Sequence, residues 1–207
     1  MTMTTHSAHS HVHRDDEGDK LGMWLFIFTE LLLFGMLFII YAVYRYRNPE
    51  AFKLAGEELN VAIGTLNTII LLISSATVAM SITAIQKGNR KLALTLIYTT
   101  VIIAMMFLIN KYFEWGEKIS YGFYPNGTDL LELGHGTILF YGLYWVMTGI
   151  HALHIIIGIG LFLYVISKMN KNEINAGDYI WLENAGLYWH LVDLIWIFLF
   201  PLFYLIH

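Results

Sequence analysis

No cysteine occurs among the 207 residues. Disulfides, thiolate metal sites and cysteine-ligated iron–sulfur clusters are therefore excluded. Charge is scarce as well: 14% of residues are charged and 57% hydrophobic, whereas a soluble domain of this size carries about 25% charge. A water-soluble core of this length has no need of so many apolar side chains. The imbalance, with a mean hydropathy of +0.58, points to a polytopic membrane protein. The net charge is −4 and the lysines and arginines fall mostly between apolar runs, a poor pattern for nucleic-acid binding. A cleavable signal peptide is not expected either. The first twenty residues are polar, His-rich and acidic rather than basic then apolar.

Five apolar runs dominate the rest: 21–44, 61–85, 92–109 with an extension to 113, 137–166 and 185–206. Each reaches the roughly 20 residues needed to cross a ~30 Å hydrocarbon core at about 1.5 Å per helical residue. They are too long for barrel strands of about 10 residues and show no two-residue alternation. The expected fold is all-α, a polytopic membrane bundle of five transmembrane helices over residues 21–207, preceded by a polar tail at 1–20. Its "HSAHSHVH" (6–13) reads as disordered tail, with weak metal binding the competing reading.

The expected loops are 45–60, broken by Pro49 and Gly56; 86–91, with Gly88 as a helix C-cap; 114–136, the longest; and 168–179. No internal repeat is seen, which counts against a transporter of inverted repeats. Seven lysines and arginines fall on the side of the N-terminus and five on the other. The positive-inside rule then places the N-terminus inside and the C-terminus outside.

Ionisable groups within these runs need a reason, because each costs from about 2.5 to over 10 kcal/mol in a bilayer. Glu30 lies in the first run. It reads either as a proton-linked, carbodiimide-reactive carboxyl or as a hydrogen-bonded Glu facing another helix. His151 and His154, at i and i+3, share one face of the fourth run. They read as buried histidines bonded to neighbouring helices, or as metal or heme ligands if His190, Asp193 or Glu30 converge on them. His190 and Asp193 repeat the spacing on the fifth run, where a carboxylate beside an imidazole forms a structural polar cluster. Asn67, Ser74 and Ser75 lie on the second run with Gly64, Thr68 and Ala79, and the fourth adds Gly142, Gly149, Ala152 and Gly158. Small residues let spanning helices approach, and Asn or Ser can bond across the contact. The six tryptophans lie mostly toward span ends, as an aromatic belt predicts.

Four stretches carry a resemblance. "GMWLFIFTELLLFG" (22–35), "LNTIILLISSATVAMSITAIQKGNRK" (66–91), "TGIHALHIIIG" (148–158) and "YWHLVDLIWIFLF" (188–200) occur in this order on successive runs. Together they resemble subunit III of the heme–copper oxygen reductases, the cytochrome c and quinol oxidases, from residue 21 to the C-terminus. The resemblance implies a non-catalytic subunit that binds no metal or heme, packs against heme- and copper-bearing subunit I, holds phospholipid, and supports proton uptake and stability during turnover. Glu30 falls on the family's carbodiimide-reactive glutamate. His151, His154, His190 and Asp193 fall on family positions in helix packing and polar bonding. The longest members have seven spans; this chain corresponds to the last five. It is also similar to five-span relatives that accompany nitric oxide reductases. Other classes give different expectations: a diheme membrane electron carrier would use His151, His154, His190 and His135, and a proton-coupled transporter would use Glu30.

Overall fold

The first helix begins within the expected tail. In the computed structural model, which describes residues 16–125, 127, 130 and 134–206, α1 runs Asp16–Arg47. It is followed by α2 Pro49–Glu57, α3 Val61–Gln86, α4 Arg90–Ser120, α5 His135–Asn170 and α6 Ile180–Phe200. A π-helical turn, Pro201–Leu205, extends α6. Among the described residues there is no strand, only an isolated bridge between Asn175 and Asp178. Among the described residues five helices are long and apolar enough to cross a membrane: all but α2. The sequence "HSAHSHVH" lies outside the described residues.

Local chemistry sets the ends. Asn48 precedes Pro49, a position that disfavours helix, so α1 stops and Pro49 starts α2 at its first turn. The Asn60 side chain accepts from the Ala62 and Ile63 amides, and Asn89 accepts from the Leu92 amide, which satisfies free donors at the starts of α3 and α4. At the end of α3, Gly88 takes φ 74°. This lets the Gly88 and Asn89 amides return to the Ile85 and Ala84 carbonyls, the Schellman closure that a Cβ would strain. Gly88 is thus the C-terminal cap residue expected of it.

Two expected loops are shorter than read. The 45–60 segment contains α2, whose Phe52 and Ala55 are buried. It packs on α5, and the Phe52 ring meets Phe140 at 5.4 Å. In place of a loop from 114, α4 continues to Ser120. Lys111, Glu114 and Lys118 therefore project from a helix and are 1–3% exposed. The helix persists because Lys111 pairs with Glu114 and Lys118 bonds the Glu58 carbonyl inside the bundle.

Helix α3 packs along both α4 and α6, and α5 packs against α6. The last helix is the centre of the bundle, with Trp189 and Trp196 buried in it. These two tryptophans are core residues rather than belt residues, while Trp24 and Trp181 are exposed. The α5–α6 approach is close at Gly158, where a Cβ would lie 2.7 Å from the Trp189 ring. Gly142 and Gly149 differ from the packing expectation: nothing stands within 4 Å of a Cβ at either. Helix α1 is the least enclosed span, with Leu25, Phe28, Leu32 and Met36 exposed outward. Apolar side chains on an outer face are what lipid solvates best.

Candidate functional site

Two polar centres and one polar seam lie within the spans. The first joins α1 to α5. His154 Nε2 sits 3.0 Å from Glu30 Oε2, with side-chain exposures of 11% and 15%. His154 Nδ1 is 2.8 Å from the Ile150 carbonyl. A carbonyl only accepts, so Nδ1 carries a hydrogen. The Glu30–His154 bond then has two forms: a carboxylic acid donating to a neutral imidazole, or an imidazolium donating to a carboxylate. In either form a hydrogen lies between Oε2 and Nε2. Phe34 stands edge-on to the imidazole at 5.6 Å and Tyr188 stacks on it at 6.3 Å. Tyr188 also donates to the His154 carbonyl at 2.9 Å. Glu30 is therefore a partnered carboxyl, one of the two readings its position allowed.

The second centre was missed by the sequence reading. Lys111 Nζ donates to Glu114 Oε1 at 3.0 Å, to the Tyr204 hydroxyl at 3.1 Å and to the Tyr144 hydroxyl at 3.2 Å. Tyr204 donates to the same carboxylate oxygen at 2.5 Å, and the Tyr144 hydroxyl donates to it as well. The ammonium also lies 5.1–5.8 Å from the ring centres of Trp115, Tyr144, Trp196 and Tyr204. Four elements contribute: α4, α5, α6 through the Trp196 ring, and the π turn. That turn matters because it re-aims the chain after Pro201 so that Tyr204 reaches the carboxylate. The signal that could have found the pair is its i, i+3 spacing of opposite charges at the end of an apolar run. Ending the span between them hid it. Lys118 is also satisfied internally, donating to the Glu58 carbonyl at 2.5 Å.

The seam is the polar stripe of α3. Asn67 accepts from Asn110 at 2.9 Å, Thr68 from the Trp196 indole at 3.0 Å and Ser74 from the Trp189 indole at 2.9 Å. Ser75 Oγ is 2.7 Å from His190 Nδ1. These residues tie α3 to α4 and α6 by the interhelical bonding that small polar side chains provide.

The four expected cluster residues do not form one cluster. His154 bonds Glu30 and His190 bonds Ser75. Fully buried His151 has no partner at either ring nitrogen among the described residues. It stacks on Trp196 at 5.2 Å instead. Asp193 does not bond His190: both its oxygens lack a hydrogen-bond partner. The i, i+3 spacing places the two on one face, but α3 presents its hydroxyl to the imidazole. With three histidines on three different neighbours, no two face each other as axial ligands would. Among the described residues no three His, Asp or Glu side chains gather as a metal site.

Fold and site together define a five-span, all-helical membrane subunit with internally paired charges. The family model for cytochrome c oxidase subunit III matches residues 1–207. The chain belongs to the cytochrome c oxidase subunit III family. It is 33% identical over 202 residues to cytochrome c oxidase subunit 3 of Thermostichus vulcanus, covering 96% of this chain and 92% of that protein. It is 31% identical over 197 residues to a heme–copper oxidase subunit I+III of Aeropyrum pernix, covering 91% of this chain and 23% of that protein. It is also 27% identical over 206 residues to a probable quinol oxidase subunit 3 of Staphylococcus haemolyticus, covering 100% of this chain and 97% of that protein.

Proposed function

We propose that this chain serves as the non-catalytic subunit III of a heme–copper terminal oxidase, with heme and copper carried by partner subunits. It packs against subunit I, faces phospholipid along α1, and supports proton uptake through Glu30. The observation that carries the reading is the Glu30–His154 bond. The pair sits at the least enclosed helix of the bundle, where a partner subunit or lipid can approach. The second centre, by contrast, is sealed inside the chain. Packing on subunit I is supported by the Aeropyrum pernix relative, whose name joins subunits I and III in one protein.

The membrane is of the bacterial cytoplasmic type, with the N-terminus inside. The charge bias behind that orientation sharpens when buried cations are withdrawn. Without Lys111 and Lys118, which are satisfied inside the bundle, the count changes from seven against five to seven against three.

The test is affinity purification of the tagged chain in mild detergent. It is expected to bring down a heme–copper subunit I, and the chain separated from its partners is expected to show no Soret band. Glu30→Gln keeps the shape and one hydrogen bond to His154, so assembly persists and carbodiimide labelling disappears. A heme spectrum on the separated chain, or unchanged labelling in Glu30→Gln, overturns the reading.

A further inference from the structure

Helices α1 and α3 both pack on α6, and neither packs along the other. A groove therefore runs between them with α6 as its floor. On the α1 side the Phe38 ring meets Phe198 at 6.1 Å and Lys20 faces Glu183 at 3.4 Å. On the α3 side Trp189 donates to Ser74, and His190 lies against Ser75. Helix α5 closes the far side, where Tyr188 donates to the His154 carbonyl and Trp196 stacks on His151. The remaining face of α6 is open: Leu194 and Ile197 are each 45% exposed. His190 precedes them by one and two helical turns and stands on the same face.

His190 is the polar point of this floor. Its ring bonds Ser75 through Nδ1 at 2.7 Å and has no other hydrogen-bond partner among the described residues. Nε2 is left with a hydrogen to give or a lone pair to receive one, whichever tautomer is present. Unlike the ring nitrogens of His151, Nε2 is not sealed inside the bundle; the half-buried imidazole opens on the groove. Both His190 and Ser75 lie near the middle of their spans, Ile180–Leu205 and Val61–Gln86. At that depth hydrocarbon offers an imidazole no hydrogen bond, and the unmet group is costly. Acyl chains suit Leu194 and Ile197 but not Nε2. An apolar helix with one polar side chain suits all three. The α3 wall admits it closely, because Ser75 and, one turn on, exposed Ala79 are small. A helix laid there touches α1, α3 and α6 at the usual axis spacing of about 8–10 Å.

We propose that this groove seats a transmembrane helix of subunit I, which brings a hydroxyl or carboxamide side chain to His190 Nε2. The inference rests on the reading of the chain as subunit III and adds the face by which it docks. Side chains of that kind both donate and accept, so they satisfy Nε2 in either tautomer. Subunit I is the occupant of choice because the Aeropyrum pernix relative carries both subunits in one name.

Photo-crosslinking of the assembled complex in its own membrane tests this. Benzoylphenylalanine replaces Leu194 on the groove floor or, for reference, Ile102, which is 62% exposed on α4. The expected result is a covalent adduct between the Leu194 position and the subunit I polypeptide, several-fold above the yield from Ile102. Equal yields, or a Leu194 adduct with phospholipid alone, overturn the proposal; the subunit III reading stands if subunit I still co-purifies. A preparation without a heme–copper subunit overturns both. His190→Phe should lower the fraction of subunit I retained in detergent several-fold, whereas His190→Gln, which keeps an amide on the groove, should retain most of it. Retention by His190→Phe equal to the wild type overturns the bond to Nε2. If His190→Phe does not accumulate, the Leu194 adduct decides.

Discussion

Replacing Lys111 by Met removes one charge from a centre that has no access to water. Lys111 is 1% exposed and Glu114 is 2% exposed. The carboxylate would keep its bonds from Tyr144 and Tyr204, so it is not left bare, but its only bonded cation among the described residues disappears. Breaking a buried pair from one side costs about 3–5 kcal/mol, because the survivor is an uncompensated charge. Met preserves most of the stem volume, so little of the cost comes from a cavity. At roughly 2–4 °C per kcal/mol for a chain of this length, the melting temperature should fall by on the order of 6–20 °C. The assay is thermal unfolding of the detergent-solubilised chain, read by the fluorescence of Trp115 and Trp196, whose rings flank the ammonium. Lys111→Met with Glu114→Gln removes both charges while leaving an acceptor for the two phenols. This double variant should recover most of the loss. A single variant that melts with the wild type, or a double variant no better than the single, would refute the claim that the pair is desolvated and coupled.

Other outcomes can be checked on the same material. Gly158→Ala places a methyl 2.7 Å from the buried Trp189 ring and should destabilise by about 1–3 kcal/mol through overpacking. Gly142→Ala, with nothing within 4 Å, should melt with the wild type or slightly above it. Beyond the end of α5, the hydrogen bond from Lys168, and then the Lys168 charge, hold the Glu173 carboxyl below the usual carboxylate range. Such a group stabilises above its unfolded value of about 4.3 and loses that contribution as pH falls through the lower folded value. Wild type and Glu173→Gln should therefore differ in melting near neutrality and converge in acid, the neutral-pH gap being small for an exposed pair. A reporter fused after residue 207 should be active only outside the membrane, given the sharpened charge bias.

Much of the fold was legible because membrane spans are written as long apolar runs. Lipid offers no hydrogen bonds, so each run must close its own backbone as helix. Short polar signals were legible too: Gly88 needed a left-handed backbone, and it has one. Less legible was what each polar side chain meets. His190 and Asp193 share a helical face, yet the imidazole bonds Ser75 on another helix. Glu30 lies 124 residues from His154 in sequence and 3.0 Å away in space. Lys111 stands at the end of the third apolar run, where hydropathy falls and the loop expected from 114 separates it from Glu114. It is in fact buried, because Tyr144 and Tyr204 arrive from distant segments to receive it.

The number of spans, their helical form and the family follow from the sequence by itself, since periodicity and motif order are properties of the chain. The pairing of charges does not. A helix fixes which residues share its face, but the neighbouring helix decides whether a carboxyl meets a cation, a phenol or nothing. That choice separates Glu30, held by an imidazole, from Glu114, locked under an ammonium, and from Asp193, which has neither. The three carboxyls look alike as letters in apolar stretches. Packing gives each its own partners, and with them its own chemistry.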